Sequence, residues 1–557
     1  MTAMRDTRPG ATAIPNQPAN GAERLPVVLV CDDIAEDGLR LFEGQAEVVV
    51  KTGLKGGDLL DAVADCDALL VRSQTKVTAE VIAAAKRLRI IGRAGVGVDN
   101  IDVPAATSRG IIVVNSPMAV NIAAAEHALA LMLSLARNVP QGNASLRDGR
   151  WDRSKFLGVE VRGKTLGVIG LGNIGSEFAR RGAALEMRVL GYDPYVSAEV
   201  ASRLGVELAD VDAILKEADF VSVHVPLTEK TRGLIGEREL AIAKPGIRLI
   251  NCARGGIIDE AALLKALEDG RVAGAALDVF TQEPPIGNPL VSHPRVVVTP
   301  HLGASTEEAQ VNAAIQVTQQ VVAVLGGQPA RFAVNVPSIR PEVMTELEPY
   351  LGLAEALGDL LARLHDGQVA CVEIGYSGDA ANFDTALLRA AALKGILGRA
   401  LLERINLVNA QLVARNRGIQ VIETKSGQPA ENYTNLISVR VVGRGGRLKL
   451  GGSQVSGTLV NGVVHIVGVN GYRMDIVPSG DYVLFCHYKD RPGVIGRIGT
   501  LLGERSVNIS FMQVGRREAR GEAMMVLGLD EDVSGDSQLF GQILEAGDVQ
   551  HAQLVKL

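Results

Sequence analysis

The sequence predicts an α/β protein whose first part is built on parallel sheets with crossover helices. Two observations support this fold class. Short apolar segments that end in turn or polar residues recur along the chain, and helical stretches such as AEVIAAAKR separate them. The chain has 557 residues, of which 47% are apolar and 22% charged, so it has room for about three or four globular domains.

Composition argues against several classes of protein. A net charge of −6 argues against a general nucleic-acid binder, and no apolar run approaches the roughly 20 residues of a membrane span. Residues 1–24 lack the apolar core of a signal peptide, and we expect a disordered tail there. The five cysteines form no C-x-x-C pair, which predicts neither a metal site nor a disulfide framework. A reducing compartment, the cytoplasm, is the simplest expectation.

The first strands are predicted in order from the segments LPVVLVCDD, ALLVRSQT, LRIIGRAGVGVDN and GIIVVNSP. A long helix around IAAAEHALALMLSLARN then leads away from this unit. A second series of strands runs through KTLGVIGLGNIG, RVLGYDP, FVSVHVPL, RLINCARGG, AGAALDVF and RVVVTPHLG. In an open α/β sheet, ligands bind at the carboxyl ends of the strands, and polar residues collect at these ends.

The rest of the chain has a different pattern. The amphipathic helix EEAQVNAAIQVTQQVVAVLGG stops at glycine, and PARFAVNVPSIRPE has the composition of a linker. Residues from about 338 to 478 combine long Ala/Leu helices with later Gly-rich hairpins. The last 75 or so residues fit a compact βαββαβ unit.

A glycine motif marks a nucleotide site. Gly170, Gly172 and Gly175 follow the strand LGVI and open a helix, and Asp193 closes the next strand eighteen residues after Gly175. The glycines permit a tight turn and a close approach to a pyrophosphate, which the free N–H groups of the helix would bind. The carboxylate of Asp193 would bind ribose hydroxyls and repel the extra phosphate of NADP. The motif therefore predicts NAD.

Three polar residues at the ends of later strands form a candidate catalytic set. Arg254 follows LINCA, Glu283 follows ALDVF and His301 follows VVVTP. A histidine can exchange a proton near neutral pH, an arginine can hold a carboxylate, and a glutamate can orient the imidazole and raise its pKa. Taken singly, Arg254 could be a surface arginine, Glu283 a solvated turn residue and His301 a hydrogen-bonded histidine at a strand end. Together at one edge they favour hydride transfer with a small 2-hydroxy acid.

The segments GVIGLGNIG, NCARGGIIDE, ALDVFTQEPP and TPHLGAST closely resemble the D-isomer-specific 2-hydroxyacid dehydrogenase family. This resemblance implies that Arg254, Glu283 and His301 are catalytic. Val96 and Val225 replace a threonine that the family often carries, which leaves those two contacts in doubt. The cofactor contacts that the resemblance implies are Asn173, Ile174, Asp193, Cys252, Ala253, Arg254, Asp278, His301, Leu302, Gly303 and Ala304.

The segments VRSQTKVT and GRAGVGVDNID resemble the substrate loops of family members that act on 3-phospho-D-glycerate. This implies that Arg72 and Ser73 meet the phosphate end of the substrate, and that the backbone around Gly95 to Asn100, with Gly97 and Asn100, meets the carboxylate end. For Arg72, a capping or surface charge is the alternative. Trp151 falls in a segment that mediates subunit contact in similar enzymes.

The segment HYKDRPGVIGRIGTLLGERSVNIS resembles the ACT regulatory domain. We expect Asp490 to cap its helix and Pro492 to lie in the first turn. In serine-sensing members, the residues matching Tyr488, Asp490 and Asn508 hold L-serine at the interface of two ACT domains. A structural dimerisation module is the alternative.

The resemblance covers the chain from about residue 25. It implies a Rossmann-type NAD domain (119–301) inserted in a flavodoxin-like substrate-binding domain (25–118 and 302–335), then an α+β intervening, allosteric domain (336–480) and an ACT domain (481–557). The implied protein is a cytoplasmic homotetramer that oxidises 3-phospho-D-glycerate to 3-phosphohydroxypyruvate with NAD, at the start of L-serine biosynthesis, with L-serine as feedback effector. Alternatives are a dehydrogenase of another 2-hydroxy acid, which includes 2-oxoglutarate reduction, and a serine sensor with a lapsed catalytic domain.

Overall fold

A computed structural model describes residues 24–337, 341–365, 367–399, 401, 404–430, 433–443, 453–478, 482–546 and 549–557. Apart from Arg24, the expected tail of residues 1–24 lies outside the described residues. Four sheets follow one another along the described chain.

The first sheet has five parallel strands in the order β2-β1-β3-β4-β5. This is the flavodoxin-like order, which confirms the predicted fold of this part. β3 is buried along its whole length, as a parallel strand covered on both faces should be. The strands are β1 (Val27–Val30), β2 (Glu47–Val50), β3 (Ala68–Val71), β4 (Ile90–Arg93) and β5 (Ile112–Val114), and the helices are α1 (Glu36–Leu39), α2 (Gly56–Val63), α3 (Ala79–Ala84) and α4 (Val103–Ser108).

The second sheet has seven parallel strands in the order β12-β11-β10-β9-β6-β7-β8, which contains the Rossmann order. The predicted Rossmann fold is confirmed. The helices of this part are α5 (Asn121–Arg137), α6 (Val139–Arg147), α7 (Asn173–Ala184), α8 (Ala198–Arg203), α9 (Val211–Glu217), α10 (Glu237–Ile242) and α11 (Glu260–Glu268). The strands are β6 (Thr165–Ile169), β7 (Arg188–Tyr192), β8 (Val206–Leu208), β9 (Phe220–Val223), β10 (Ile247–Asn251), β11 (Val272–Leu277) and β12 (Val296–Val298).

The chain returns to the first sheet through α12 (Glu307–Leu325). Val317 of this helix packs in one core with Val28 of β1. Gly92 permits the close approach, since a Cβ at that position would lie 2.8 Å from a methyl carbon of Val317. The second sheet is therefore inserted between two parts of the chain that build the first domain.

The third sheet has six strands in the order β14-β13-β15-β16-β17-β18. β13 and β14 are parallel and the other pairs are antiparallel, as the hairpin pattern predicts. The helices are α13 (Pro341–Leu364), α14 (Ala386–Gly398) and α15 (Ala410–Asn416), and the strands are β13 (Val369–Gly378), β14 (Gln420–Ser426), β15 (Asn435–Gly443), β16 (Ser453–Val460), β17 (Val463–Val469) and β18 (Tyr472–Ile476).

The fourth sheet is antiparallel, in the order β20-β21-β19-β22, and belongs to a βαββαβ unit, as predicted. One face of it packs on the third sheet, because Phe485 and Val526 lie in the same apolar cluster as Leu357 and Val439. The elements are β19 (Tyr482–Lys489), α16 (Val494–Glu504), β20 (Ile509–Arg516), β21 (Glu522–Leu529), α17 (Ser537–Glu545) and β22 (Val549–Lys556).

The start of α16 differs from the sequence prediction. Its N-cap is Gly493, with a φ of 92° and no side-chain capping bond, so the expectation that Asp490 caps this helix is wrong. The turn places Asp490 three residues before the N-cap, and its carboxylate accepts a hydrogen bond from Arg516 at 3.4 Å. Pro492 precedes the N-cap and so lies outside the first turn.

Candidate active site

The residues predicted to bind cofactor and substrate gather where the strands of the second sheet end. The Gly170 turn follows β6, and Arg254 follows the end of β10 at Asn251. Glu283 and His301 come after β11 and β12, which end at Leu277 and Val298. The carboxyl edge of one parallel sheet therefore brings the glycine motif and the three candidate catalytic residues together.

His301 and Glu283 form a close pair. Nδ1 of His301 lies 2.8 Å from one Glu283 carboxylate oxygen, and the Phe280 N–H donates to the other oxygen at 3.1 Å. Burial opposes ionisation of Glu283, but the hydrogen bonds from His301 and Phe280 outweigh it and hold the pKa of this carboxyl below its ordinary value. The pair leaves Nε2 of His301 free of Glu283 and able to exchange a proton with a substrate.

Asp278 lies beneath the backbone that follows His301. Its carboxylate accepts the N–H groups of Leu302 at 2.7 Å and Gly303 at 2.9 Å. Burial, and then the charge of Asp278, raise the pKa of the Cys252 thiol well above its ordinary value, so this cysteine is an uncharged packing residue. Asp278, Cys252, Leu302 and Gly303 are thus brought together as the sequence predicts, and Ala253 and Ala304 are their chain neighbours.

Arg254 meets the segment that follows β4 of the first sheet. Its Nε donates to Asp99 at 3.1 Å, and Gly97 lies against its guanidinium group. Asn100, in the same segment, donates to the carbonyl oxygens of Arg72 and Thr75, each at 2.7 Å. The segment with Gly97 and Asn100, the predicted carboxylate-end residues, therefore links Arg254 to the Arg72 loop.

The Arg72 loop lies at the same edge of the first sheet. The guanidinium of Arg72 donates to the Asp33 carbonyl at 3.4 Å, and Ser73 is exposed beside it. Arg72 also lines a cavity of about 30 Å³ together with Gly95 and Ala304. Within the described residues, no hydrogen bond joins Arg72 or Ser73 to Arg254, Glu283 or His301. The segment that holds Gly97 and Asn100 contacts both Arg254 and the Arg72 loop.

Arg93 is a residue of this site that the sequence analysis did not single out. It ends β4 and lies beneath Gly95, and its Nε finds no hydrogen-bond partner within the described residues. Burial, then the positive charge of Arg254, and more weakly that of Arg72, lower its pKa to about 10. The sequence feature that could have revealed Arg93 is its position as a cation at the carboxyl end of the strand that leads into GRAGVG. Only backbone contacts were expected from that segment.

The glycine motif has the geometry of a nucleotide cradle. Gly170 has a φ of 96°, and a Cβ at Gly175 would lie 1.9 Å from the Gly170 carbonyl oxygen. Gly172, in contrast, faces open space, so the N-terminus of α7 is accessible. Asp193 accepts the Leu171 and Tyr195 N–H groups, each at 2.9 Å, which fixes its carboxylate beside the turn. These residues fit a dinucleotide.

Two further predicted contacts begin α7. Asn173 lies in the first turn, where its side-chain amide lies 3.4 Å from the sulfur of Met118, and Ile174 packs against the core of the second sheet. Asn173 thus reaches across to the segment that follows the first sheet.

The three residues predicted to bind serine are not assembled within one chain. Asp490 follows β19 and bonds to the Gly521 carbonyl, whereas Asn508 precedes β20 and donates to Asp530 at the other end of β21. Eight residues of β21 separate these ends, on the order of 24 Å. Tyr488 is buried in the core of the unit, and its hydroxyl has no partner among the described residues.

The described part of the chain holds no group of three or more side chains suited to a metal ion. None of its helices is both long and apolar enough to cross a membrane.

Three family models match this chain. They are the D-isomer specific 2-hydroxyacid dehydrogenase NAD binding domain at residues 129–303, the D-3-phosphoglycerate dehydrogenase intervening domain at 346–469 and the ACT domain at 482–537. The D-3-phosphoglycerate dehydrogenase of Synechocystis sp. is 48% identical, over 95% of this chain and 94% of that protein. The chain belongs to the D-3-phosphoglycerate dehydrogenase family.

Further relatives agree with this assignment. The D-3-phosphoglycerate dehydrogenase of Methanocaldococcus jannaschii is 46% identical, over 95% of this chain and 99% of that protein. The crystal structure of the TT0316 protein from Thermus thermophilus is 37% identical with a TM-score of 0.51, and the match covers 55% of this chain and 99% of that one. The D-lactate dehydrogenase of Aquifex aeolicus, solved with NAD and lactic acid, is 28% identical with a TM-score of 0.50, over 56% of this chain and 100% of that one.

These matches confirm the predicted family, fold class and cofactor. This chain is an NAD-dependent oxidoreductase with an ACT domain.

Proposed function

We propose that this protein oxidises 3-phospho-D-glycerate to 3-phosphohydroxypyruvate with NAD, the first step of L-serine biosynthesis. The observation that carries the proposal is the meeting of Arg254 with Gly97 and Asp99, beside the pair of His301 and Glu283. This arrangement supports a carboxylate-binding role for Arg254 and a proton-accepting role for His301. The relatives named D-3-phosphoglycerate dehydrogenase support the choice of substrate.

In the proposed mechanism, Arg254 binds the substrate carboxylate and polarises the oxygen on C2. The substrate carboxylate would replace the Asp99 carboxylate as the partner of Arg254. Nε2 of His301 takes the proton of the C2 hydroxyl, and Glu283 stabilises the imidazolium that results. When bound, NAD accepts the hydride from C2.

The phosphate end of the substrate would meet a group of cations. We assign Arg72 and Ser73 to it, as the resemblance implies, and add Arg93 because its Nε lacks a partner in the described chain. Arg93 is close enough to Arg72 and Arg254 for their charges to lower its pKa, so an anion between them would relieve the repulsion. Gly97 and Asn100 would hold the carboxylate end.

The cofactor would lie along the carboxyl edge of the second sheet. Gly170, Gly172 and Gly175 would admit the pyrophosphate to the N-terminus of α7, with Asn173 and Ile174 in its first turn. Asp193 would bind the adenosine ribose. The nicotinamide end would pass the residues after β10, β11 and β12, which are Cys252, Ala253, Arg254, Asp278, His301, Leu302, Gly303 and Ala304.

We also propose feedback by L-serine at the ACT domain. Asp490 and Asn508 lie at opposite ends of one sheet, so a site that uses both takes Asp490 from one subunit and Asn508 from another. Asp490 would accept the serine ammonium group, and the Asn508 amide would donate to the carboxylate. Tyr488 would contribute from the strand that ends at this site.

We also propose an oligomeric state and a cellular compartment for this protein. The apolar side chains of Trp151 (76% exposed) and Leu157 (90% exposed), in the segment after α6, are available for contact between subunits and support association into a homotetramer. Five unpaired cysteines support a reducing compartment such as the cytoplasm. We propose a substrate-binding domain at 25–118 with 302–335 and an NAD-binding domain at 119–301. The intervening domain would span 336–480 and the ACT domain 481–557.

The deciding experiment is an NADH assay of the purified full chain against a panel of 2-hydroxy acids, with and without L-serine. The panel contains 3-phospho-D-glycerate, D-glycerate, D-lactate and D-2-hydroxyglutarate. We expect the highest kcat/KM with 3-phospho-D-glycerate and a lower rate when serine is present. A higher kcat/KM with an unphosphorylated acid would replace the proposed substrate.

A further inference from the structure

We infer that His127 is a positioning residue for the backbone of His301, Leu302 and Gly303, here called the His301 loop, and that it acts through Asp278. The inference rests on the proposed role of His301 as proton acceptor. His127 lies on α5, far from the glycine motif and the substrate loops in sequence, and no step proposed above uses it.

The His301 loop is strained, and one residue accepts the hydrogen bonds of its three backbone N–H groups. His301 has a φ of 56°, a left-handed conformation that residues other than glycine adopt uncommonly. The His301 N–H donates to the main-chain oxygen of Asp278 at 2.9 Å, and the next two N–H groups donate one to each of its carboxylate oxygens. Three successive N–H groups thus converge on Asp278.

The Asp278 carboxylate can hold this loop only if its own charge is stabilised. Its side chain is fully buried, where an ionised carboxylate is stable only with hydrogen bonds or a partner of opposite charge. Besides the loop, Thr299 Oγ donates to it at 2.6 Å and His127 Nε2 lies 3.1 Å away. These bonds outweigh the effect of burial and keep the pKa of Asp278 below its ordinary value.

The direction of the His127 bond follows from the proton count. Thr299 has one hydroxyl proton, and its 2.6 Å bond to Asp278 uses it. Nε2 of His127 lies 3.1 Å from that hydroxyl oxygen and 3.1 Å from the carboxylate, and both of these atoms can accept. Nε2 therefore carries a proton and donates. His127 thereby ties α5 to Asp278, and through it to the left-handed backbone of His301.

Removal of this donor should displace the loop rather than the cofactor. In His127→Leu, Asp278 loses a donor, the His301 loop is held less firmly, and the imidazole moves relative to the C2 hydroxyl. A small misplacement of this kind can lower kcat by up to about 100-fold. We expect the KM for NAD to stay within about threefold of the parent value. The primary deuterium isotope effect on kcat with substrate deuterated at C2 should rise, because hydride transfer becomes slower than product release.

The test compares three variants of the full chain. His127→Gln keeps a side-chain N–H and should recover most of kcat and the parent isotope effect. Leu131→Ala removes a buried side chain one turn further along α5 and serves as the matched control. It should lower the melting temperature and leave the isotope effect unchanged, which separates positioning from simple loss of stability.

A second measurement needs no substrate. Hydrogen exchange at the amides of Leu302 and Gly303 should become faster in His127→Leu and stay at the parent rate in Leu131→Ala. Parent-like exchange and a parent-like isotope effect in His127→Leu would overturn the inference. If the parent enzyme fails to oxidise 3-phospho-D-glycerate, the proposed function fails, and the amide exchange still decides the role of His127.

Discussion

Gly97 lies directly against the guanidinium group of Arg254, so that a Cβ at position 97 would be 1.9 Å from Nη2. The two residues come from different sheets and are separated by more than 150 positions in the chain. This contact joins the proposed substrate loop to the proposed carboxylate-binding residue, and a side chain at position 97 would require the guanidinium group to move.

Gly97→Ala should therefore displace Arg254 and lower kcat/KM for the hydroxy acid by about 100-fold, the scale expected for a misplaced reacting group. Binding of NADH, measured by fluorescence titration, should stay close to that of the parent. Gly142→Ala is the control, since a Cβ there meets no atom within 4 Å. Full activity in Gly97→Ala would contradict the proposed role of Arg254 in binding the substrate carboxylate.

His301→Ala should lower kcat by roughly 10²–10⁴-fold, the usual contribution of a positioned acid or base. Glu283→Gln should cause a smaller loss, because the amide can still contact the imidazole but cannot stabilise its charge. Stopped-flow measurement of NADH formation checks both. Unchanged turnover in His301→Ala would mean that another group accepts the proton.

Arg72→Ala and Arg93→Ala should discriminate between phosphorylated and unphosphorylated substrates. Each variant should lose at least about tenfold in kcat/KM for 3-phospho-D-glycerate, on the scale of a lost charge-assisted hydrogen bond, and little for D-glycerate. Equal losses on both substrates would show that these arginines contact something other than the phosphate. Arg147→Ala, on α6, serves as a control for loss of positive charge.

Asn508→Ala should weaken the response to serine and leave the rate without serine unchanged. Because we propose that Asp490 and Asn508 of different subunits share each site, a mixture of Asp490→Ala and Asn508→Ala chains should regain some intact sites. Isothermal titration of serine into each variant and into the mixture measures this. Parent-like serine binding by Asn508→Ala would place the site elsewhere.

Acid stability should depend on His224, whose pKa is lowered by burial to about 4. Between pH 6.5 and about 4 the unfolded chain binds a proton here that the folded chain does not, so the free energy of unfolding falls as the pH falls. The full difference corresponds to about 3 kcal/mol. Urea unfolding of His224→Gln at pH 7 and pH 5 should show a smaller decrease than the parent.

Local patterns in the sequence were enough to predict the parallel sheets and a ligand site at one edge, and the family resemblance supplied the division into domains. The glycine motif and the polar residues at strand ends predict a parallel sheet with a ligand at one edge, and the structure places Arg254, Glu283 and His301 at that edge. The roles of these residues stay predictions that the variants above test.

Features that depend on distant contacts could not be predicted. Arg93 gains its unusual position from the Gly95 turn and from two other arginines. The bond between His127 and Asp278 joins residues that are 151 positions apart. The helix cap expected of Asp490 failed because Gly493 takes a left-handed conformation that lets α16 begin later.

The apolar cluster shared by the third and fourth sheets affects whether these two parts of the chain can fold separately. Phe485 and Val526 lie in one apolar interior with Leu357 and Val439, so we expect the two parts to unfold in one cooperative transition. Scanning calorimetry should record residues 341–557 as one transition. A sensor grafted onto another enzyme would have to carry both parts, because the last 75 residues alone would expose an apolar face to water and aggregate.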